Sequence, residues 1–379
     1  MSSLRTGRPA KRVLVVITIA GLVTLAGCGG GFSLGDTDQE QDDGEHDPEA
    51  PTAVDGELEI HHIDVGQGDS TLLVTPENET VLIDTGDWPA DGQDVIDYLD
   101  ERGIDRIDHL VATHAHADHI GGHAGVIEYF EENGDGVGAA YDSGVAHTSA
   151  TYDNYLDAIE KHDVDLFEVV EGDTLPLESE ATEITVLNPP ADHSGDDLDR
   201  NAVVLTVEFG EFSYLTTGDI GEETEARLVD AHGDALDVDV YQAGHHGSST
   251  SSTDPFLDAV NPETAIISSA LDSQYGHPHD EVLEVFAERD IETYWTGVHG
   301  DVVLRTDGEQ RSVTPETEAS TDPSVLLDRK HEANEQATVE RRSDAASTRV
   351  QSAAAGPGAV GLQPTPPIDR LSVPTSHQL

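Results

Sequence analysis

Cysteine occurs once in the 379 residues, at Cys28, so no disulfide can form within one chain. Lysine is confined to Lys11, Lys161 and Lys330, and 18 bases face 77 acids for a formal net charge of −59. A surface so poor in cations repels nucleic acid at low salt. At molar salt the screening length shrinks to about 3 Å, so the deficit does not exclude a polyanionic substrate. A long apolar run is missing too. Val13 to Ala26 has 14 residues, short of the roughly 20 that span a bilayer.

An acidic balance of this size fits two kinds of protein. One is disordered, with too little apolar surface for a core. The other is folded in high salt, where dense carboxylates stay hydrated and their repulsion is screened. The distribution of charge favours the second. Residues 58–314 hold 58 acids and 8 bases, yet they carry strand and helix patterns throughout.

The start of the chain reads as a targeting segment. Arg5, Arg8, Lys11 and Arg12 precede the apolar run, which ends at Leu25-Ala26-Gly27-Cys28. This resembles a lipoprotein signal whose cysteine takes the lipid, and Lys11-Arg12 hints at twin-arginine export. Residues 1–28 are therefore expected to anchor the protein to the outer face of the cell membrane. Residues 29–57, rich in Gly, Asp and Glu, read as an acidic disordered tether. From 58 to 314, about 257 residues suffice for one large domain. Leu58 to Val65 alternates like a half-buried strand. Further strands are expected at 70–74, 80–83, 184–187, 202–209, 212–216, 238–242, 264–268 and 292–295, with helices at 94–102, 121–132, 222–231 and 280–289. Beyond Pro315, Ser, Ala, Thr, Pro and Gln dominate. Residues 315–379 read as a low-complexity, disordered tail, with a short helix allowed around 324–340.

Thr113-His114-Ala115-His116-Ala117-Asp118-His119-Ile120-Gly121-Gly122 is the most informative stretch. Four candidate metal ligands fall within six residues, after an apolar strand end and before a glycine pair. Neutral imidazole binds zinc and similar metals well, and an added carboxylate suits a catalytic rather than a structural site. More such residues follow strand ends elsewhere: Asp84 in Leu82-Ile83-Asp84-Thr85-Gly86, Asp219 in Leu215-Thr216-Thr217-Gly218-Asp219, and His245-His246 in Ala243-Gly244-His245-His246-Gly247-Ser248. Strands that converge on one sheet edge assemble a site from distant sequence.

This ordered set resembles the metallo-β-lactamase superfamily over most of residues 58–305. A narrower likeness is to the C-terminal hydrolase domain of DNA-uptake competence proteins of the ComEC type. It rests on Asp64-Val65-Gly66-Gln67-Gly68-Asp69-Ser70, Leu215 to Ile220, Gly244 to Ser248 and Tyr275-Gly276-His277-Pro278-His279. The resemblance implies an α/β fold, the four-layer αββα sandwich of that superfamily. It implies that His114 and His116 bind a first metal, that Asp118 and His119 bind a second, and that Asp219 bridges both. His245 or His246 would complete the second site, with a slight preference for His245. Asp84 would orient a ligand from behind. The superfamily usually has one more first-metal histidine before the bridging aspartate. Here the candidates in that interval are His147, His162 and His193, none in a convincing motif.

Weaker expectations attach to neighbouring residues. His61 and His62 read as packing or surface residues, and Gln67 and Asp69 as formers of a tight turn that could line the site. Asn201, Ser248, Ser249 and His279 are candidates for substrate contact, and His277 is a weaker candidate than His279. The resemblance implies a metal-dependent hydrolase, with Asp118 and Asp219 as catalytic carboxylates and one or two zinc ions, or manganese, as cofactor. A divalent metal lowers the pKa of its water to about 7 and so supplies hydroxide at neutral pH. The narrower likeness points to DNA or nucleotide phosphodiesters as substrate. Membrane attachment is expected through lipid on Cys28, and no protein partner is expected. A hydrolase of lactone, thioester or β-lactam bonds is the alternative, and a non-catalytic metal-binding surface protein the third reading.

Overall fold

The computed structural model describes residues 54–193 and 195–354. Two compact units divide the chain after His331, and the first carries both sheets. Cys28, the expected signal segment, most of the expected tether and the end of the expected tail lie outside the described residues. Among the described residues, no helix is long and apolar enough to cross a membrane.

The first sheet has eight strands: β1 (Leu58–His62), β2 (Thr71–Val74), β3 (Thr80–Ile83), β4 (Ile107–Val111), β5 (Val137–Asp142), β6 (Asp165–Glu168), β13 (Val302–Thr306) and β14 (Arg311–Pro315). Their spatial order is β14-β13-β1-β2-β3-β4-β5-β6. The second has six: β7 (Thr182–Asn188), β8 (Val204–Phe209), β9 (Phe212–Thr216), β10 (Val240–Gln242), β11 (Thr264–Ile267) and β12 (Glu292–Trp295), in the order β12-β11-β10-β9-β8-β7.

Strand alternation explains the layers, because successive side chains leave opposite faces of a sheet. Val81, Ile83 and Val111 of the first sheet share one buried cluster with Leu205, Val207, Tyr214, Val240 and Ile266 of the second. Their neighbours Leu82, Leu110 and Ala140 face the other way, into a cluster with helices α1 (Gln93–Glu101), α3 (His123–Asn133) and α4 (Ala150–His162). On the far side, Leu215, Tyr241, Ala265 and Ile267 pack against α5 (Glu222–His232), α6 (Asp254–Val260) and α7 (Asp280–Glu288). Two single-turn helices, α2 (Ala117–Ile120) and α8 (Thr296–His299), directly follow the loop after β4 and the end of β12. The first unit is thus the expected αββα sandwich. Helix boundaries follow local chemistry. Ser149 caps α4 by accepting from the Tyr152 N–H, and Asp163 ends it in the left-handed region at φ 58°. Pro255 opens α6, and Asn261 closes it at φ 43°.

Strands β3 to β6 run parallel, as do β9 to β12. Loops that leave their carboxyl ends therefore gather at one edge, where open α/β sheets bind ligands. The shift in composition suggests a domain boundary at 314, whereas the compact unit reaches His331. Helix α9 (Pro323–Ala354) begins inside the expected tail, because Leu326, only 1% exposed, belongs to the same apolar cluster as α7. Lys330 follows it and places Nζ 2.5 Å from Asp280 Oδ1.

Candidate metal centre

The loop after β4 supplies His114 and His116, then α2 carries Asp118 and His119. Asp84 follows β3 and Asp219 follows β9. His245 and His246 follow β10. Both of these histidines adopt left-handed backbone, at φ 53° and 55°. That costs energy in a residue with a Cβ, and such strain concentrates at functional sites.

Two clusters of candidate ligands result, and Asp219 belongs to both. One is His114, His116, Asp199 and Asp219; the other is Asp69, His119, Asp219 and His246. Within each, one ligand atom from every residue lies within 4.8 Å of the others. In the first, His114 Nε2 and His116 Nδ1 are 2.9 Å apart. Asp199 Oδ1 stands 3.1 Å from His116 Nδ1 and 3.7 Å from His114 Nε2. In the second, His119 Nε2 lies 3.2 Å from Asp219 Oδ1, and His246 Nε2 lies 3.8 Å from Asp219 Oδ2.

The chemistry of the donor set fits a divalent cation. His119 Nε2, His246 Nε2, Asp69 Oδ1, Asp199 Oδ1 and Asp219 Oδ1 are buried atoms that make no well-aligned hydrogen bond within the protein. Buried polar atoms are rarely left so. Here five of them belong to residues of the two clusters. Burial pushes the Asp219 carboxyl up, but the His119 and His246 rings outweigh it and hold the group well below the usual range. Burial would lower His119, yet Asp219 and Asp84 raise it well above its ordinary value. Burial would lower His246 too, and Asp219 and Asp69 raise it likewise. His114, by contrast, is driven well below its ordinary value by burial and by the neighbouring His119. The carboxylates demand positive charge at this spot, and a divalent cation satisfies that demand with all rings neutral.

A second layer aims the ligands. Asp84 is buried, with Oδ2 2.7 Å from His119 Nδ1. The Thr113 N–H and hydroxyl donate to the same carboxylate at 2.8 and 2.6 Å. This arrangement holds the His119 Nδ1 proton and turns Nε2 inward, as carboxylates behind a metal-binding histidine do. His246 Nδ1 lies 3.1 Å from the Ser268 carbonyl, which likewise directs Nε2 to the cluster.

The structure brings together His114, His116, His119, Asp219 and His246. Asp118 stands at the rim of the second cluster, its Oδ2 3.3 Å from His246 Nε2. His245 lies outside both clusters. Its Nε2 comes within 3.6 Å of Asp219 Oδ2, but its side chain is 29% exposed, whereas that of His246 is 1% exposed and belongs to the second cluster, so burial and cluster membership favour His246 over the preferred His245. Asp69 enters the second cluster rather than merely shaping a turn. It gets there because Gly68, at φ 145°, lets the chain lie against Asp118; a Cβ on Gly68 would collide with the Asp118 carbonyl oxygen. Asp199, which sequence reading missed, joins His114, His116 and Asp219 in the first cluster, which none of the three histidine candidates enters. His147 stays at the edge, its ring 6.3 Å from that of His116. His193 turns Nδ1 to the Pro190 carbonyl, and His162 sits in the last turn of α4.

The substrate candidates divide. Asn201 is buried and donates to the Asp197 carbonyl at 2.8 Å, closing the loop that presents Asp199. Ser248 is also buried, its Oγ 3.0 Å from Thr250 Oγ1. His279 is half-buried and accepts the Ser249 N–H on Nδ1 at 2.9 Å, which leaves its proton on Nε2. His277 packs its ring 6.1 Å from that of His246, closer to the centre than expected. His61 and His62 are buried packing residues.

Comparison with known proteins places the chain in a family. Residues 63–270 match the family described as Metallo-beta-lactamase superfamily. The chain is 30% identical over 268 residues to ComE operon protein 3 of Bacillus subtilis (strain 168), a match covering 66% of this chain and 33% of that protein. It is 31% identical over 259 residues to Competence protein ComA of Neisseria gonorrhoeae, covering 68% and 32%. Recombination protein 2 of Haemophilus influenzae matches over 230 residues at 28% identity, covering 60% and 26%. The chain spans about a third or less of the length of these curated relatives.

Proposed function

The chain belongs to the metallo-β-lactamase superfamily, and from that premise we propose that it is a divalent-metal phosphodiesterase acting on nucleic acid or nucleotides. The observation that carries this reading is Asp219, one buried carboxylate shared by two ligand clusters. Such sharing suits two cations held side by side, the arrangement that grips the oxygens of a phosphoryl group. Zinc fits the histidines, and manganese fits the carboxylate share of the set. Likeness to proteins named for competence and recombination supports a nucleic acid substrate.

When bound, the metal supplies Lewis acidity toward a phosphoryl oxygen and acidifies water. His114, His116, Asp199 and Asp219 would hold one ion; Asp69, His119, Asp219 and His246 the other. Asp118 stands at the edge of the centre, its Oδ2 3.3 Å from His246 Nε2 and its side chain 28% exposed. From there its carboxylate would orient an attacking water. His279 offers its Nε2–H to a substrate oxygen. We further propose that lipid on Cys28 holds the enzyme outside the membrane; a Cys28→Ser chain would then leave the membrane fraction.

The test is cleavage of bis-p-nitrophenyl phosphate and labelled DNA by the full chain in high salt with zinc or manganese, beside Asp219→Ala. Metal-dependent cleavage lost in the variant is the expected result. Inertness toward phosphodiesters, with turnover of a thioester, lactone or β-lactam, would refute it.

A further inference from the structure

Every described Phe, Tyr and Trp side chain is buried or half-buried, except two. Trp88 is 63% exposed and Tyr275 is 58% exposed. Trp88 opens a single 3-10 turn, Trp88–Ala90, and Tyr275 lies in the loop before α7; each neighbours an element of the metal centre. Trp88 follows Asp84-Thr85-Gly86-Asp87, and its backbone lies against the end of α2: a Cβ on Gly121 would collide with the Trp88 nitrogen. Gly121 directly follows the helix that carries Asp118. On the other side, the Tyr275 ring lies 5.8 Å from His277. His277 in turn is 5.7 Å from His245 and 6.1 Å from His246.

The same loops are almost without cations. Residues 64–70, 84–91, 113–122, 142–149, 189–203, 217–221, 244–254 and 268–279 contain no lysine and one arginine, Arg200, whose guanidinium pairs with Glu223 at 2.9 Å. Proteins that bind nucleic acid draw most of their affinity from Lys and Arg on phosphates. That source is missing here. The other general source is stacking of bases on aromatic faces, which needs no charge and tolerates any sequence.

We propose that Trp88 and Tyr275 are stacking platforms for unpaired nucleobases flanking the scissile phosphodiester. Resting on the phosphodiesterase reading of the metal centre, this assignment makes the substrate base-bearing and single-stranded at the point of cleavage. Paired bases hide their faces in the duplex, so a duplex reaches these rings only where it is frayed.

Two measurements on the metal-loaded full chain test this. The first compares kcat/KM for a single-stranded oligonucleotide and for an abasic oligomer of equal length. Loss of one ring to Ala should lower the ratio of the two roughly 5- to 150-fold, the usual worth of one stacked base, with the change in KM. Trp88→Phe and Tyr275→Phe should restore most of it. A ratio unchanged in both Ala variants would overturn the proposal. The second uses fluorescence and needs no turnover. Trp295 is fully buried, so the exposed Trp88 should be quenched by the oligonucleotide and not by the abasic oligomer. Quenching without cleavage would sink the phosphodiesterase reading and leave the stacking site standing. No quenching at saturating oligonucleotide would overturn the stacking site, whether or not DNA is cut.

Discussion

Asp199 and Asp219 are the residues on which the proposed two-ion arrangement turns, and they separate cleanly in prediction. Asp199 serves one cluster and Asp219 both. Asp199→Ala should therefore leave about one metal per chain when wild type carries two, whereas Asp219→Ala should weaken both. Metal analysis after gel filtration reads this directly. Equal stoichiometry in wild type and Asp199→Ala would remove Asp199 from the ligand set. Its role was illegible in sequence because it lies among Asp192, Asp196 and Asp197, a run that looks like any acidic surface of this chain. The choice between His245 and His246 was equally hidden. Adjacent histidines look alike until left-handed backbone points one ring inward. The His114 to His119 motif, by contrast, is so closely spaced that it showed three cluster members directly, His114 and His116 in one cluster and His119 in the other, with Asp118 left at the rim. Asp142 tests the electrostatics of a buried carboxyl outside the two ligand clusters. It is buried, and burial, with Glu168 nearby, pushes its carboxyl up to about 6. Its unfolded value is about 3.9. The folded state thus binds more protons across that interval, so the contribution to stability is full below about pH 3.9 and is lost as pH rises through about 6. Asp142→Asn keeps an acceptor for the Gly144 N–H, which donates at 2.8 Å to Oδ1. The variant should be more stable than wild type above about pH 6, by up to about 3 kcal/mol, and the gap should close below about pH 4. Urea midpoints across this range, in molar KCl, measure it. A gap independent of pH would contradict the assignment.

At the scale of elements, the sequence revealed strands where alternation was clean. β3, β8, β9 and β11 lie within a residue or two of their expected limits. β5 escaped notice because Val137-Gly138-Ala139-Ala140 offers little that favours a strand over a loop. It forms because it pairs with β4 on one side and β6 on the other, contacts that no local pattern encodes. Helix α9 was expected only as a short piece within the tail, because its polar composition hides Leu326 and Leu327, which join its start to the sandwich. Leu326→Ala should cost about 2–5 kcal/mol, as large-to-small changes in buried clusters do, while Val325→Ala, at a position 46% exposed, should cost little. Denaturant midpoints of the two variants decide whether the first turns of α9 belong to the folded unit. Equal, small effects would return residues 315–331 to the tail.

On the scale of the whole molecule, charge sets the terms on which substrate can be held. A domain with 58 acids and 8 bases between residues 58 and 314 repels both itself and a nucleic acid. Salt weakens each repulsion, since the screening length falls from about 30 Å at 0.01 M to about 3 Å at 1 M. Folding stability should therefore rise from millimolar to molar KCl. Substrate affinity should follow the same direction, which is the reverse of ordinary behaviour. Proteins that grip phosphates with Lys and Arg release counterions on binding, and they lose affinity steeply as salt increases. Here the loops around the metal centre offer one paired arginine, so there are few counterions to release and a large repulsion to screen. The KM for a single-stranded oligonucleotide should fall or stay level between about 0.1 and 1 M KCl, at constant free metal. Measurement at several salt concentrations yields the slope of log KM against log salt. A slope near zero or negative is expected from metal coordination and stacking. A steep positive slope would mean that cationic side chains, brought from elsewhere in the chain, carry the phosphates after all.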